Sequence, residues 1–341
     1  MTTAQKLGDG LCVGEVSLSG RAFLAPMAGA TDPAMRRIAE RHGASATVSE
    51  MVTAAGLARD DRETRLRLSG DSLGPRVIQI AARSEEDIAL AARRAANAGA
   101  DWIDINMGCP CKRVTGGLAG SALMRDLDHA SRLVASAMAA VTVPVSVKMR
   151  LGWDDAARNA PQLARRVEAE GAALVAVHGR TRQQFYQGQA DWAAIAAVKA
   201  AVRIPVVANG DCDSPEAARA MLRLSNADAV MVGRAALGQP WLIGDIAHYL
   251  ATGRRSPPDL PTRAEIAIEH MESLCLAMGA LPGLRHARKH LAAYVDRAGL
   301  GLSEKGVRLR RALLACEEPD EARRHVFALF AQEQETCEAA A

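Results

Sequence analysis

Short apolar runs recur along the chain, with Ala-rich stretches of helical pattern between them. The runs read AFLAPMAG, ATVSEMV, RVIQIAA, WIDINMG, PVSVKMR, LVAVHGR, PVVANGD and AVMVGRA. They are short, continuously apolar and often β-branched, the pattern of parallel strands covered on both faces. The segment SEEDIALAARRAANAG after the third run shows what lies between, with Ser84 placed to cap a helix and Gly99 to stop it. Eight β–α units in series predict an α/β fold, a closed (β/α)8 TIM barrel rather than an open doubly wound sheet. The pattern changes after Leu250. TGRRSPPDLPT reads as a Pro-rich linker over 251–262, and Thr262 followed by Glu265 reads as a capping box. The remainder is helical throughout, so a barrel domain over 1–250 and a smaller helical domain over 263–341 are expected.

Barrels of this kind gather function at the C-terminal ends of their strands. In order, the runs end on Pro26, Met27 and Ala28; Glu50; Gln79; Asn106 with Cys109; Lys148 with Arg150; His178 with Arg180; Asn209, Gly210 and Asp211; and Gly233 with Arg234. A ring of polar residues on one rim is not what packing alone would select. The last two groups place Gly beside a polar residue where barrels commonly hold a phosphate. Lys148 ends an apolar strand, where a cation could stabilise negative charge on a reduced ring cofactor, or could snorkel out of the barrel. His178 could act in the site or be a satisfied structural histidine. An unperturbed thiol is about 97% protonated at pH 7, so Cys109 suits a neutral proton donor better than a nucleophile, which would want a close imidazole. Cys111 carries no such argument and is expected to be a small buried side chain.

Composition narrows the setting. The 341 residues are 49% apolar and 24% charged, as expected of a globular protein. No apolar run approaches the ~18 residues of a membrane span, and MTTAQKLGDG lacks the layout of a signal peptide. The seven cysteines are odd in number and lack CxxC spacing, which predicts reduced thiols in a cytoplasm and no metal site. A net charge of +3 does not by itself announce a nucleic-acid partner. No GxGxxG follows a strand, so a Rossmann nicotinamide site is not expected.

The segments LAPMAGATD, VSEM, VIQIA, DINMGCP, SALMRD, VKMRLGW, VHGRTR, VANGD and MVGRAALGQPW, in this order, resemble the tRNA-dihydrouridine synthases, most closely the bacterial DusB branch. RHARKHLAAYV adds a weaker match in the helical region. The resemblance implies an FMN barrel, reduced by NADPH or NADH, that reduces the C5–C6 bond of a tRNA uridine. It would place Pro26, Met27 and Ala28 against the flavin, and would have Gln79 and Lys148 hydrogen-bond its ring system. Asn209, Gly210, Asp211, Gly233 and Arg234 would hold the phosphate end, and Cys109 would protonate C5. It implies lesser roles for Asn106, Arg150 and His178 at the uracil or flavin edge. Relatives usually carry Ala where this chain has Cys111. The helical domain would grip tRNA through Arg285, Arg288, Lys289 and Arg308, with Arg180 and Arg182 as a further RNA contact. No obligate protein partner is suggested. A flavin barrel enzyme acting on a small molecule and a non-catalytic RNA-binding protein on the same scaffold are the competing readings. Which uridine is reduced, the preferred nicotinamide and the oligomeric state are not written in the sequence.

Overall fold

The computed structural model describes residues 10–338 apart from 60, 70, 71 and 117. Eight parallel strands form the barrel: β1 Ala22–Leu24, β2 Ala46–Val48, β3 Arg76–Ala81, β4 Trp102–Met107, β5 Val145–Arg150, β6 Leu174–His178, β7 Val206–Asn209 and β8 Ala229–Val232. Each pairs with the next, and β8 pairs with β1, which closes the sheet. All eight lie within the apolar runs, but several are shorter than the run that holds them. In AFLAPMAG only Ala22–Leu24 is strand, because the apolar pattern continues into the loop beyond it. The helix Glu85–Asn97 is capped by Ser84, whose Oγ accepts the N–H of Asp87, and Gly99 follows at φ +86°.

Because side chains alternate across a strand, every second residue points into the barrel. Phe23, Val77, Trp102, Leu174, Val207 and Met231 fill one end of the interior, and Val13 and Leu18 from the short N-terminal hairpin pack with them. The Phe23 and Trp102 rings are tilted with centroids 6.2 Å apart. Further along β4 and β5 the inward positions turn polar, so the interior runs from an apolar floor to a hydrogen-bonding mouth. That gradient makes a closed barrel into a site.

The chain divides into two compact units. One comprises 1–233 and 243–255, and the other 234–242 and 256–341. The second unit therefore takes in the nine residues after Gly233 as well as the helices Leu260–Met278, Ala280–Arg297, Glu304–Ala315 and Pro319–Glu338. The expected capping box at Thr262 is not the helix start. Asp259 caps instead, its Oδ1 accepting the Thr262 N–H at 3.0 Å, and the helix opens at Leu260. Pro261 fits the first turn because no helical hydrogen bond is asked of its nitrogen there. Within this unit Gly283 lies so close to the preceding helix that a Cβ would stand 2.4 Å from the Leu274 carbonyl oxygen. No helix among the described residues is long and apolar enough to cross a membrane.

Candidate active site

Trp102, Asp104 and Asn106 are alternate residues of β4, and Ser146, Lys148 and Arg150 are alternate residues of β5. The register sets Asn106 beside Lys148, Arg150 beside His178, and His178 beside Asn209. Hydrogen bonds climb this inner surface from floor to rim. Trp102 Nε1 donates to Ser146 Oγ at 3.0 Å, and Ser146 donates to Asp104 Oδ1 at 2.6 Å. Gln79 Nε2 donates to Asp104 Oδ2 at 2.7 Å, and its Oε1 accepts from Asn106 Nδ2 at 2.8 Å. Asn106 Oδ1 then accepts the Cys109 N–H at 2.9 Å. Asp104 is 3% exposed, and burial pushes its carboxyl pKa up against the pull of these donors and of Lys148. An acceptor at Asp104 decides which end of the Gln79 amide faces inward, and Gln79 in turn orients Asn106.

Cys109 stands in the loop after β4. Ser121 clamps its carbonyl with N–H and Oγ at 3.1 and 2.9 Å. The thiol is half-buried, and burial raises its pKa further than the Cys111 N–H, Arg150 and Lys148 lower it. It is therefore held protonated. The expectation of a buried Cys111 fails: Cys111 is exposed at the start of the short helix Lys112–Thr115, where the chain has left the barrel wall. The described cysteines are free thiols.

Lys148 Nζ donates to the neutral amide oxygen of Asn209 at 3.0 Å, while Asn209 Nδ2 is fixed on the Met231 carbonyl at 2.8 Å. Burial and then repulsion from Arg150 lower the Lys148 pKa to about 8, with Asp104 and Cys109 opposing. Arg150 is 2% exposed. Its Nε donates to the Gly108 carbonyl at 2.8 Å, and its Nη1 to those of Thr181 and Phe185 at 2.9 and 2.8 Å. Burial is the main cause that brings its pKa down to about 10.

Arg180, also 2% exposed, forks onto Asp211 at 2.9 and 2.5 Å and donates to the carbonyls of Gln187 and Gly188. Its Nη1 lies 3.3 Å from His178 Nε2. Gly210 has φ +117° and Asp211 φ +55°, and a Cβ on Gly210 would stand 2.9 Å from His178 Cδ2. Only glycine fits between that ring and the turn. The β1 loop is pinned by Met27 N–H on Thr31 Oγ1 at 2.9 Å and by the Gly29 N–H on buried Glu50. Pro26 and Met27 are half-buried and Ala28 exposed. A Cβ on Gly233 would meet nothing nearer than Met27 Sδ at 3.8 Å, and Arg234 opens the turn Arg234–Ala236 of the other unit.

In the helical unit, Arg285 pairs with Glu317 at 3.4 Å, Arg308 lies 3.8 Å from Glu304, and Arg310 forks onto Asp296. Arg288 donates to the Cys316 carbonyl at 3.0 Å, and Lys289 Nζ lies 3.1 Å from His286 Nε2. Glu317 thus neutralises a basic residue from another helix boundary, 32 positions along the chain.

Asp104 and Ser146 were missed by reading strand ends alone. Their signal was present as polar letters at alternate positions inside WIDIN and VSVK. In the loop after β6, where the sequence marks Arg180 and Arg182, Tyr186 was missed too. It is 52% exposed, with Arg150 over its ring at 5.6 Å and the His178 ring 6.4 Å away.

The family described as Dihydrouridine synthase (Dus) matches residues 23–336. A protein of Rhizobium leguminosarum bv. phaseoli called a probable tRNA-dihydrouridine synthase is 47% identical over 282 residues, 83% of this chain and 87% of that one. Proteins of Xanthomonas axonopodis pv. citri and Pseudomonas aeruginosa called tRNA-dihydrouridine synthase B are each 46% identical, over 83% of this chain and 86% of their own. Among solved structures, a morphinone reductase variant in complex with tetrahydroNAD shares the fold with a TM-score of 0.51 at 16% identity, over 75% of this chain and 93% of that one. Histamine dehydrogenase from Rhizobium sp. 4-9 does so with 0.54 at 15%, over 84% of this chain and 51% of that one. With its barrel closed, its rim in register and this extent of match, the chain belongs to the dihydrouridine synthase family, an enzyme family of oxidoreductases.

Proposed function

We propose that the protein is a tRNA-dihydrouridine synthase that uses FMN reduced by NADPH or NADH, with Cys109 as general acid. The observation that carries this reading is the half-buried Cys109 thiol on a rim whose cation, Lys148, bonds a neutral amide rather than a carboxylate. A partly buried ammonium whose hydrogen bond goes to a neutral amide is a fitting partner for an electron-rich ring. Gln79 and Asn106 add amides already oriented by Asp104. Pro26, Met27 and Ala28 would flank the ring, with His178 at its edge. Asn209, Gly210, Gly233 and Arg234 would receive the phosphate end. Asp211 would contribute there through its main chain, because its carboxylate is committed to Arg180.

Bound FMN would supply the hydride that adds to C6 of the uracil. Cys109 delivers the proton to C5, and its thiolate is reprotonated from solvent, so the C5–C6 double bond gains two hydrogens. Arg150 holds the Cys109 loop and the loop after β6 to one another through backbone carbonyls. tRNA would also meet the helical unit through Lys289, Arg308 and their basic neighbours. The work is that of a cytoplasmic enzyme.

The test is to purify the protein, read its flavin absorbance, and supply NADPH with an unmodified tRNA transcript. Dihydrouridine formed only with both, and lost in Cys109→Ala, supports the reading. Turnover of small enones with no product in tRNA would overturn it, as would RNA binding without flavin.

A further inference from the structure

Three rim loops carry a chain of guanidinium and aromatic planes that the chemistry above does not use. Arg125 lies over the Trp153 ring at 4.9 Å, and Arg182 lies 4.7 Å from the centroids of both Trp153 and Phe185. The backbone sets this order. The N–H groups of Arg182 and Gln183 donate to the carbonyls of Gly152 and Trp153, each at 2.9 Å, zipping the loop after β6 to the loop after β5. Arg182 Nε is buried and meets no hydrogen-bond acceptor among the described residues, so its plane rests between rings.

Phe185 ends the chain of contacts, and neither burial nor backbone comfort accounts for it. The residue is 37% exposed, and its φ of +50° lies in the left-handed region that L side chains avoid. Strain of this kind persists where surrounding structure over-determines it, and it gathers at ligand-binding places. Here Arg150 holds the Phe185 carbonyl at 2.8 Å. The same guanidinium holds the carbonyl of Gly108, the residue before Cys109. The exposed ring thus belongs to a loop fixed one side chain away from the loop of the acid.

We propose that Phe185 is a stacking platform for a nucleobase neighbouring the target uridine, with Arg182 and Arg125 supplying positive charge for the adjoining phosphates. The proposal rests on tRNA being the substrate. Drawing one base out of an RNA stack strips its neighbour of a stacking partner, and an aromatic face beside the barrel mouth replaces it. Such stacking tolerates any base, so the platform serves affinity rather than choice of neighbour.

Three FMN-loaded variants test it: Phe185→Leu keeps the bulk, Phe185→Gly suits the backbone, and Phe185→Tyr keeps the ring. Affinity for an unmodified tRNA transcript is measured by filter binding at fixed salt, beside flavin content and NADPH oxidation with an artificial acceptor. The Leu and Gly variants should weaken binding by about 5- to 100-fold and the Tyr variant by less than about 2-fold. Flavin content and NADPH oxidation should stay at the wild-type level in all three. Wild-type affinity in the Leu variant overturns the proposal and leaves the tRNA reading standing. A Tyr variant as weak as the Leu variant, or a Leu variant that sheds flavin, overturns it by making Phe185 a support of the loop. A wild-type enzyme that neither binds nor reduces the transcript overturns both readings.

Discussion

At the scale of single residues, the site depends on protonation states imposed by burial. Cys109 is kept neutral, so Cys109→Ala should retain flavin and tRNA binding while uridine reduction falls by about 10²- to 10⁴-fold, the usual worth of a positioned acid. Cys111→Ala should stay near wild type because that thiol is exposed and off the barrel wall. Equal losses in single-turnover assays of the two variants would remove Cys109 from its role. Lys148 gives a pH signature. With a pKa of about 8 it is charged at pH 7 and largely neutral at pH 9. FMN affinity of the apoprotein should therefore weaken as pH rises through about 8, and Lys148→Arg should carry that fall to higher pH. Fluorescence titrations at pH 7 and 9 that give the same affinity would show that the cation does not face the flavin. In the absence of ligand, the unfolded chain holds a proton on this lysine between about pH 8 and about 10.4 that the folded chain has released, so stability attributable to Lys148 rises with pH across that window.

At the scale of elements, alternation along β4 and β5 does most of the construction. Cys109 and Lys148 were legible in the sequence because each stands where an apolar run stops. Asp104 and Ser146 were harder to see, since both lie within runs whose outward residues, Ile103, Ile105 and Val147, keep the whole stretch looking like buried strand. Only inward orientation, known once the barrel closes, turns them from oddities into a relay. The helix start at Leu260 was misplaced for a local reason: both Asp259 and Thr262 are good caps, and the acidic one comes first. Arg150 was legible as a strand-end cation, but not as a clasp, because the carbonyls it holds belong to loops with no sequence signature for that bond. Arg150→Lys should lose at least one of these three bonds, because one ammonium nitrogen replaces the separate Nε and Nη1 donors, each bond being worth about 1.5–3 kcal/mol for a charged donor. Hydrogen exchange should quicken in 108–112 and 181–187 and kcat should drop at least about tenfold. Unchanged exchange in both loops would show that other contacts hold them.

At the scale of the whole molecule, the expected RNA affinity is electrostatic, and part of the basic charge of the helical unit is spent internally on Glu317 and Asp296. The exposed Lys289, Arg308 and Arg311 are the residues to reverse, rather than Arg288, which anchors the Cys316 carbonyl. For about six phosphate contacts, tRNA affinity should fall on the order of 10³-fold between 50 and 200 mM salt. Changing the three residues to Glu should flatten that slope and leave NADPH oxidation with an artificial acceptor intact. A wild-type slope in the triple variant would place the RNA grip elsewhere. The units are also interleaved along the chain, since 234–242 belongs with the helices although 243–255 returns to the barrel unit. In that segment Trp241 is 6% exposed, its ring 6.0 Å from Tyr294 with Arg263 over it. At Gly238, φ is +74° and a Cβ would stand 2.2 Å from the Ala293 carbonyl oxygen. A stop codon after Arg255 would thus yield a barrel trailing an uncovered tryptophan, prone to aggregate. A gene fragment beginning at Ser256 would lack the strip that covers its own second helix. Grafting the helical unit onto another barrel means moving two separate pieces of coding sequence together, so recombination at a single crossover would break it.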